Sequence, residues 1–224
     1  TFKIAVDMVN EKLLSKEEAI ARITPEDIER LFYPVIDPKL DRKTLTRVAT
    51  GIDAVPGAAS GRVSFNATDA EARAAKGEKV ILVRKETSPE DVGGMHAAQG
   101  ILTATGGKTS HAAVVARGWG KCCIVGCEAL NINYETGELT AGGKTVKAGA
   151  SLTLDGSTGE VFIGELSLKA PEQPPTYQTL MKWCDNLRTM NVRANADTPY
   201  DAENAIKMGA EGIEKLHPAR FRAE

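Results

Sequence analysis

Residues 100–126, GILTATGGKTSHAAVVARGWGKCCIVG, contain the pattern that decides the fold. The apolar run GILTA (100–104) predicts a strand, and TSHAAVVARG (109–118) predicts a small-residue helix that ends at its glycine. The run CCIVG (122–126) predicts a second strand. A strand, a helix and another strand in this order indicate a β/α/β unit.

The same alternation begins earlier in the chain. The run EKVILVRK (78–85) predicts a buried strand, and SPEDVGGMHAA (88–98) predicts a short capped helix. Downstream, LTAGGKTVKAGASLTLDGSTGEVFIG (139–164) predicts short alternating strands joined by Gly-Gly and Asp-Gly turns. The fold class is therefore α/β, and we predict one mixed β/α domain over residues 47–168.

Three further segments flank this domain. Residues 1–46 predict a helical connector, in which Ser15 and Thr24 cap two helices. Residues 169–190 begin with a proline-rich stretch and continue as a linker helix. Residues 191–224 begin with a strand, a capped helix and the start of another strand, which cannot form a core alone. Because the chain also starts without methionine, we expect a piece of a longer protein whose barrel or sheet is truncated here.

The composition argues against several classes of function. The chain is 42% hydrophobic and 26% charged, with a formal net charge of −2, which gives no electrostatic case for binding nucleic acid or an acidic membrane surface. No apolar run approaches the length of a membrane span. The cysteines are too few for a disulfide framework and lack zinc-ligand spacing, so we expect buried free thiols in a reducing compartment and no metal site: Cys122, Cys123, Cys127 and Cys184.

A histidine follows the glycine turn between the first strand and the helix. Gly106 and Gly107 allow the backbone to turn sharply and to approach a ligand closely. Thr109 or Ser110 is a natural N-cap, which puts His111 in the first helical turn beside free backbone N–H groups. This position suits an anion and favours a neutral imidazole. A neutral ring nitrogen can attack phosphorus, and the glycine amides with both hydroxyls could receive the phosphoryl charge.

The residues alone leave other interpretations open. A histidine at a helix start is more often a packing or polar residue than a catalyst. A Ser110–His111 hydrolase pair is disfavoured because adjacent side chains on a helix diverge by about 100°, and GGKTS lacks the first glycine of a phosphate-binding P-loop. We expect His96 to be a packing or surface residue. Arg117 lies about 240° around the helix from His111, so we expect it to face elsewhere, free to form a salt bridge with another element.

Two stretches carry a resemblance to a known family. Residues 86–123, ETSPEDVGGMHAAQGILTATGGKTSHAAVVARGWGKCC, closely resemble the phosphohistidine region of the pyruvate, phosphate dikinase family. The family shares a core motif, Gly-Gly-x-Thr-(Ser/Cys)-His, with phosphoenolpyruvate synthase and sugar-phosphotransferase enzyme I. Residues 193–213, RANADTPYDAENAIKMGAEGI, look like the start of the phosphoenolpyruvate-binding barrel.

The resemblance implies a swivelling β/β/α carrier domain between an ATP-grasp domain and a (β/α)8 barrel. It implies that His111 takes the β-phosphoryl of ATP through a pyrophosphoryl intermediate, that phosphate receives one phosphoryl group, and that pyruvate receives the other. Mg²⁺ belongs to the flanking domains, and the parent enzyme is a homodimer in cytoplasm, plastid or another organelle. In plant members a regulatory protein phosphorylates the threonine that corresponds to Thr109.

Two departures from the family pattern stand out. Lys108 replaces the usual methionine, either as a cation that strengthens phosphate binding or, as we expect, as an exposed variant without effect. The tail 214–224 diverges from the family's Leu-Cys-Arg-Thr-Glu-His stretch, so no barrel role passes to Arg220 or Arg222. Two other functions stay open: a regulatory or docking module modified at Thr109, and a carrier that serves a phosphoenolpyruvate synthase-like phosphotransferase. On any of these interpretations the chain alone should not turn over.

Overall fold

The computed structural model describes residues 1–41, 44–196 and 198–213. The chain divides into two compact units, one formed by Thr24–Gln173 and the other by Thr1–Ile23 with Pro174–Glu224. The predicted tail 214–224, with His217, Arg220 and Arg222, lies outside the described residues.

The described elements are numbered along the chain. The helices are α1 (Phe2–Asn10), α2 (Lys16–Ala21), α3 (Pro25–Glu29), α4 (Ala67–Ala74), α5 (Val92–Ala97), α6 (His111–Gly118), α7 (Pro175–Leu187) and α8 (Pro199–Lys207). The strands are β1 (Val35–Ile36), β2 (Arg47–Thr50), β3 (Ile52–Val55), β4 (Ala58–Ser64), β5 (Val80–Arg84), β6 (Gly100–Thr103), β7 (Cys122–Val125), β8 (Asn131–Asn133), β9 (Glu138–Ala141), β10 (Lys144–Lys147), β11 (Ser151–Asp155), β12 (Glu160–Ile163), β13 (Leu168–Lys169), β14 (Arg193–Ala194) and β15 (Gly212–Ile213).

An eight-stranded mixed sheet forms the centre of the unit Thr24–Gln173. Its strand order is β2-β12-β11-β4-β5-β6-β7-β3. The four middle strands β4 to β7 run parallel, and α4, α5 and α6 connect them in turn. The outer strands pair antiparallel, which agrees with the hairpins predicted over 139–164. The sequence-based expectation of a mixed α/β fold is therefore confirmed.

Both faces of this sheet are covered. Alternate residues of β5 join different apolar clusters: Ile81 packs with Leu139 and Val146 of the small sheet β10-β9-β8, while Leu82 packs with Met95 and Ala113 of the helices. Strands buried on both faces read as continuous apolar runs, which explains the sequences around β5 and β7. The three layers leave the loops at the carboxyl ends of the parallel strands available for a site.

One helix of this unit escapes the sequence analysis. Helix α4 begins after Asn66, whose side chain accepts hydrogen bonds from the amides of Thr68 and Asp69. Only Ala67 and Ala70 are buried in it, so the helix has little apolar periodicity to detect. Its N-cap and its acidic first turn are the signals that could have found it.

The other unit is built around α7. Helices α1 and α2 contact this helix, and the rings of Phe2 and Tyr177 meet edge to face at 5.9 Å between centroids. The predicted capping box of Ser15 with Glu18 is present at the start of α2. Helix α7 begins at Pro175, inside the stretch predicted as a linker, because proline is well accommodated at the first helical position.

The last described elements form a small β/α/β arrangement. Strands β14 and β15 pair in parallel, and α8 lies between them in the chain with Thr198 as its N-cap. This agrees with the strand, capped helix and strand predicted after residue 191. The assignment of these residues to a barrel, and the predicted division at residues 46, 168 and 190, stay predictions.

Candidate functional site

The glycine turn and His111 lie at the carboxyl edge of the parallel strands. Strand β6 ends at Thr103, a loop follows, and α6 begins at His111. Gly106 has a φ of +105°, which L-residues rarely adopt, and a Cβ there would lie 3.0 Å from Ser110. Gly107 differs, because a Cβ there would meet nothing within 4 Å. The structure therefore favours glycine at 106, whereas a side chain at 107 would meet open space.

A threonine that the sequence analysis missed holds the imidazole of His111. Thr87 Oγ1 lies 3.0 Å from His111 Nδ1, and Thr87 is only 6% exposed. Thr87 follows β5, whose register pairs Arg84 with Thr103 of β6, so both loops leave the sheet at the same edge. No described residue forms a hydrogen bond with Nε2. The contact between Thr87 and Nδ1 therefore leaves Nε2 as the ring nitrogen available for chemistry.

The loops on either side of the histidine are tied to each other. The carbonyl of Lys85 accepts hydrogen bonds from both the amide and the hydroxyl of Thr105, each at 2.9 Å. The amide of Lys85 donates to the hydroxyl of Tyr134 at 2.7 Å. Thr103 Oγ1 donates to the carbonyl of Thr105 at 2.7 Å. These bonds fix the backbone that carries Thr87 relative to the loop that carries His111.

Ser110 holds the N-cap position without forming a cap. Its φ of −66° and ψ of 161° are those of an N-cap, but its side chain accepts no hydrogen bond from the helix. Ser110 is thus the N-cap residue, as predicted for Thr109 or Ser110, but it forms no side-chain capping bond: Ser110 Oγ is buried close to Gly106, with no partner among the described residues. The amides of His111, Ala112 and Ala113 also have no acceptor within the described part of the chain. Three backbone donors therefore remain at the helix start.

Lys108 and Thr109 both lie on the exposed side of the loop. Lys108 Nζ pairs with Asp53 Oδ1 at 3.0 Å, and both side chains are more than half exposed. This contact directs the Lys108 cation to β3. Thr109 is exposed. The amide of Ser110 donates to the carbonyl of Gly107 at 2.9 Å, which closes the turn between them.

Arg117 does not face away from the histidine loop as predicted. Its Nη2 donates to the carbonyls of Ala54 and Lys108, at 3.1 and 3.3 Å. Side chains on a helix lean toward the helix N-terminus, so a long arginine in the last turn reaches back to the preceding loop. The angle between two residues around the helix axis does not account for this reach along the axis.

The remaining candidates have structural surroundings. His96 meets Trp119 edge to face at 5.1 Å between ring centroids, as expected for a packing histidine. Burial raises the pKa of the Cys123 thiol to about 12 and that of Cys127 to about 11, and it also raises the pKa of Cys122. Such thiols stay protonated and unreactive in the folded state.

No metal centre or membrane span emerges from these residues. Across residues 1–41, 44–196 and 198–213, no group of three or more His, Cys, Asp or Glu residues is placed to bind a metal ion. Within the same ranges, none of the helices combines the length and the apolarity that crossing a membrane would need.

The chain is similar to known proteins over most of its length. Residues 76–159 match the family described as the mobile domain of PEP-utilising enzymes. The chain is 52% identical over 211 residues to the chloroplastic pyruvate, phosphate dikinase of Flaveria pringlei. This alignment covers 94% of the present chain and 22% of the Flaveria protein. It is 47% identical to the pyruvate, phosphate dikinase of Clostridium symbiosum over 94% of this chain and 24% of that protein. A solution structure of Enzyme I (nEIt) is 23% identical, and the match covers 49% of this chain and 37% of that chain with a TM-score of 0.29.

The chain thus spans less than a quarter of the length of these relatives. Its match to them nevertheless extends through both compact units, and the family match includes Thr87, the glycine turn and all of α6. The chain is therefore similar, over 94% of its length, to a segment that makes up about a fifth of a pyruvate, phosphate dikinase, and its residues 76–159 match the model of the mobile domain of PEP-utilising enzymes.

Proposed function

We propose that the chain is the phosphoryl-carrier portion of a pyruvate, phosphate dikinase and that His111 Nε2 carries the phosphoryl group. The observation that supports this most directly is the contact between Thr87 and His111 Nδ1 at 3.0 Å, beside three unpaired amides of α6. A proton on Nδ1 that is donated to Thr87 leaves the lone pair on Nε2. A helix N-terminus with free N–H groups stabilises a phosphoryl anion.

The proposed reaction has three balanced transfers. Nε2 attacks the β-phosphorus of ATP, the bond between the α-phosphate and the β-phosphate breaks, and AMP leaves a pyrophosphoryl-histidine. Inorganic phosphate then takes the terminal phosphoryl group as pyrophosphate, so that a phosphohistidine remains. The enolate oxygen of pyruvate attacks that phosphorus, the P–N bond breaks to give phosphoenolpyruvate, and Nε2 recovers its lone pair.

Each site residue has a role in this proposal. Thr87 is a positioning residue that sets the tautomer and orientation of the ring. Gly106 and Gly107 allow the phosphoryl group to approach the backbone, and the amides at the start of α6 bind its oxygens. We assign phosphate contacts to the hydroxyls of Thr109 and Ser110. The Ser110 hydroxyl is the buried group that still needs a partner.

The rest of the reaction depends on protein beyond this chain. We propose that a β/β/α domain over residues 47–168 swivels between an ATP-grasp domain, which binds ATP and phosphate, and a (β/α)8 barrel, which binds pyruvate and begins near residue 191. On this proposal residues 1–46 and 169–190 are the connectors, and the parent is a homodimer. Mg²⁺ has no ligand set among the described residues, so we assign it to the flanking domains. The compartment, cytoplasm or plastid, belongs to the parent protein.

Labelling of the chain tests the carrier role. The chain is incubated with labelled phosphoenolpyruvate and a pyruvate, phosphate dikinase whose own carrier histidine has been replaced. We expect label on the unmodified chain that is lost in acid, as phosphohistidine is, and none on His111→Ala. Equal labelling of His111→Ala would refute the proposal.

A second function is favoured by the exposure of Thr109, which lies two residues before His111. A regulatory kinase and phosphatase could act on its hydroxyl, and a phosphate there would crowd the donors that the carrier needs. Because phosphothreonine survives acid, acid-stable label that disappears in Thr109→Val identifies this modification. Loss of His111-dependent label from the modified chain would link it to regulation.

A further inference from the structure

Arg117 joins three parts of the site that are separate in sequence. It belongs to the last turn of α6, while its two acceptors are Ala54 in β3 and Lys108 in the histidine loop. Both bonds come from the same nitrogen, at 3.1 and 3.3 Å. A guanidinium keeps its charge at all working pH values, so these charge-assisted bonds persist throughout the pH range of the enzyme.

The Lys108 carbonyl lies four residues before Ala112, at the position from which a helix would accept the Ala112 amide. In an α-helix the amide of residue i donates to the carbonyl of residue i−4, so the ordinary partner of the Ala112 amide would be the Lys108 carbonyl. Within the described part of the chain, no backbone amide donates to this carbonyl. Arg117 occupies it instead. A bond from the Ala112 amide to this carbonyl would start the helix two residues earlier, at Thr109, whereas α6 starts at His111 after the extended Ser110 and the Ala112 amide is free.

Resting on the proposed carrier function, we infer that Arg117 is a positioning residue for phosphoryl transfer. It holds the Lys108 carbonyl against β3 and thereby keeps the amides at the start of α6 available to the phosphoryl group. Without Arg117 the Lys108 carbonyl can turn to the Ala112 amide and consume one of these donors. The phosphoryl group would then lose a backbone donor although no residue that touches it has changed.

Phosphoramidate, a small phosphoryl donor, tests this inference on the 224-residue chain without flanking domains. The variant Arg117→Met keeps the aliphatic stem and removes every donor. A matched control is Arg62→Met, since Arg62 also donates to one backbone carbonyl, that of Gly149 at 2.9 Å. Arg117 is exposed and borders a cavity of about 220 Å³, so its replacement by methionine removes no side chain from the packed core.

We expect Arg117→Met to slow phosphorylation of His111 by about ten- to a hundredfold, as small misplacements of a reacting group do. In ³¹P NMR the pKa of the phosphoryl group should rise, because the lost amide favours its dianion. Arg62→Met should change neither quantity. A purely structural role for Arg117 would lower stability and leave the phosphoryl titration unchanged, and that result would overturn the inference.

The remaining outcomes are also decisive. If circular dichroism shows that Arg117→Met is unfolded, Arg117→Lys takes its place, because its shorter ammonium reaches at most one of the two carbonyls. We expect an intermediate rate for that variant, and a rate equal to that of the unmodified chain contradicts the inference. Labelling that persists in His111→Ala defeats the carrier function itself. Labelling that depends on His111 but not on Arg117 defeats only the positioning role.

Discussion

Replacing Thr87 by valine tests the contact on which the carrier proposal depends most directly. The side chain is 6% exposed and its Oγ1 lies 3.0 Å from His111 Nδ1. Valine keeps nearly the same shape but cannot accept a hydrogen bond from the ring N–H. A buried donor left without an acceptor costs about 1–3 kcal/mol, so we expect the free energy of unfolding to fall by about 1–2 kcal/mol.

The same loss should appear in the reactivity of the histidine. Without Thr87 the tautomer with its proton on Nδ1 loses the net value of one hydrogen bond, about 1–1.5 kcal/mol. Since about 1.4 kcal/mol is a factor of ten, phosphorylation of Nε2 by phosphoramidate should slow about tenfold. The rate and the phosphorylated nitrogen are both read by ³¹P and ¹⁵N NMR. Thr87→Ser, which keeps the hydroxyl, should restore most of the rate.

A buried threonine far from the site separates reactivity from stability. Thr153 is fully buried, donates to the carbonyl of Gly164 at 2.8 Å and accepts from the amide of Leu166 at 3.0 Å. Thr153→Val should destabilise the chain at least as much as Thr87→Val, because the hydrogen bonds of Thr153 Oγ1 with Gly164, Leu166 and the Ser60 hydroxyl are all lost, yet it should leave the phosphorylation rate unchanged. If Thr87→Val reacts as fast as the unmodified chain, Thr87 does not orient the ring and our reasoning fails.

Three further outcomes follow from the same structure. Gly106→Ala should lower the free energy of unfolding in urea titrations by about 1–3 kcal/mol, because the φ of Gly106 is +105° and a Cβ there would lie 3.0 Å from Ser110. Gly107→Ala, where a Cβ meets nothing, should change it by less than about 0.5 kcal/mol, and equal effects of the two substitutions would contradict this. Burial raises the pKa of Cys123 from 9.0 to about 12, so between these pH values the folded chain retains a proton that the unfolded chain loses. The free energy of unfolding in urea should therefore fall as the pH rises from about 9 to 12, and a rise would contradict the burial of this thiol. Lys108→Met should lower the free energy of unfolding by at most about 0.5 kcal/mol, and 1 M salt should remove this difference, because the ion pair with Asp53 is largely exposed. A loss of stability that persists in 1 M salt would show another role for Lys108.

Most of the helices and strands could be predicted because their signals lie within short segments of the sequence. The apolar runs around β5, β6 and β7 and the caps of α2, α3 and α8 are properties of short segments, so they could be read without knowledge of the fold. Helix α4 was missed because its buried face consists of two alanines, Ala67 and Ala70. The start of α7 lies within the proline-rich stretch because prolines that are typical of a linker also suit the first turn of a helix.

The contacts of the candidate site depend on pairing between distant segments. Thr87 and His111 meet because of the register between β5 and β6, which no local pattern specifies. Whether Ser110 Oγ caps the helix depends on the backbone at Gly106, and the reach of Arg117 depends on the position of β3. The sequence therefore identified the residue that could react but not the residues that set its orientation.

The two cationic side chains of the histidine loop and α6, Lys108 and Arg117, are both bound to other groups of the protein. The neutral backbone amides at the start of α6 are therefore the donors left for a phosphoryl group. Lys108 is paired with Asp53, and Arg117 donates to two carbonyls, so both cations of the loop and helix have partners in β3 or the loop itself. Hydrogen bonds from cations to phosphate are roughly twice as strong as those from neutral groups. On the carrier proposal, a cation that binds the phosphohistidine more tightly than it binds the transition state would slow transfer of the phosphoryl group to the acceptor. Backbone amides bind the group while leaving it transferable, and this predicts that a free cation introduced at Gly107, which has open space beside it, would lengthen the lifetime of the phosphohistidine.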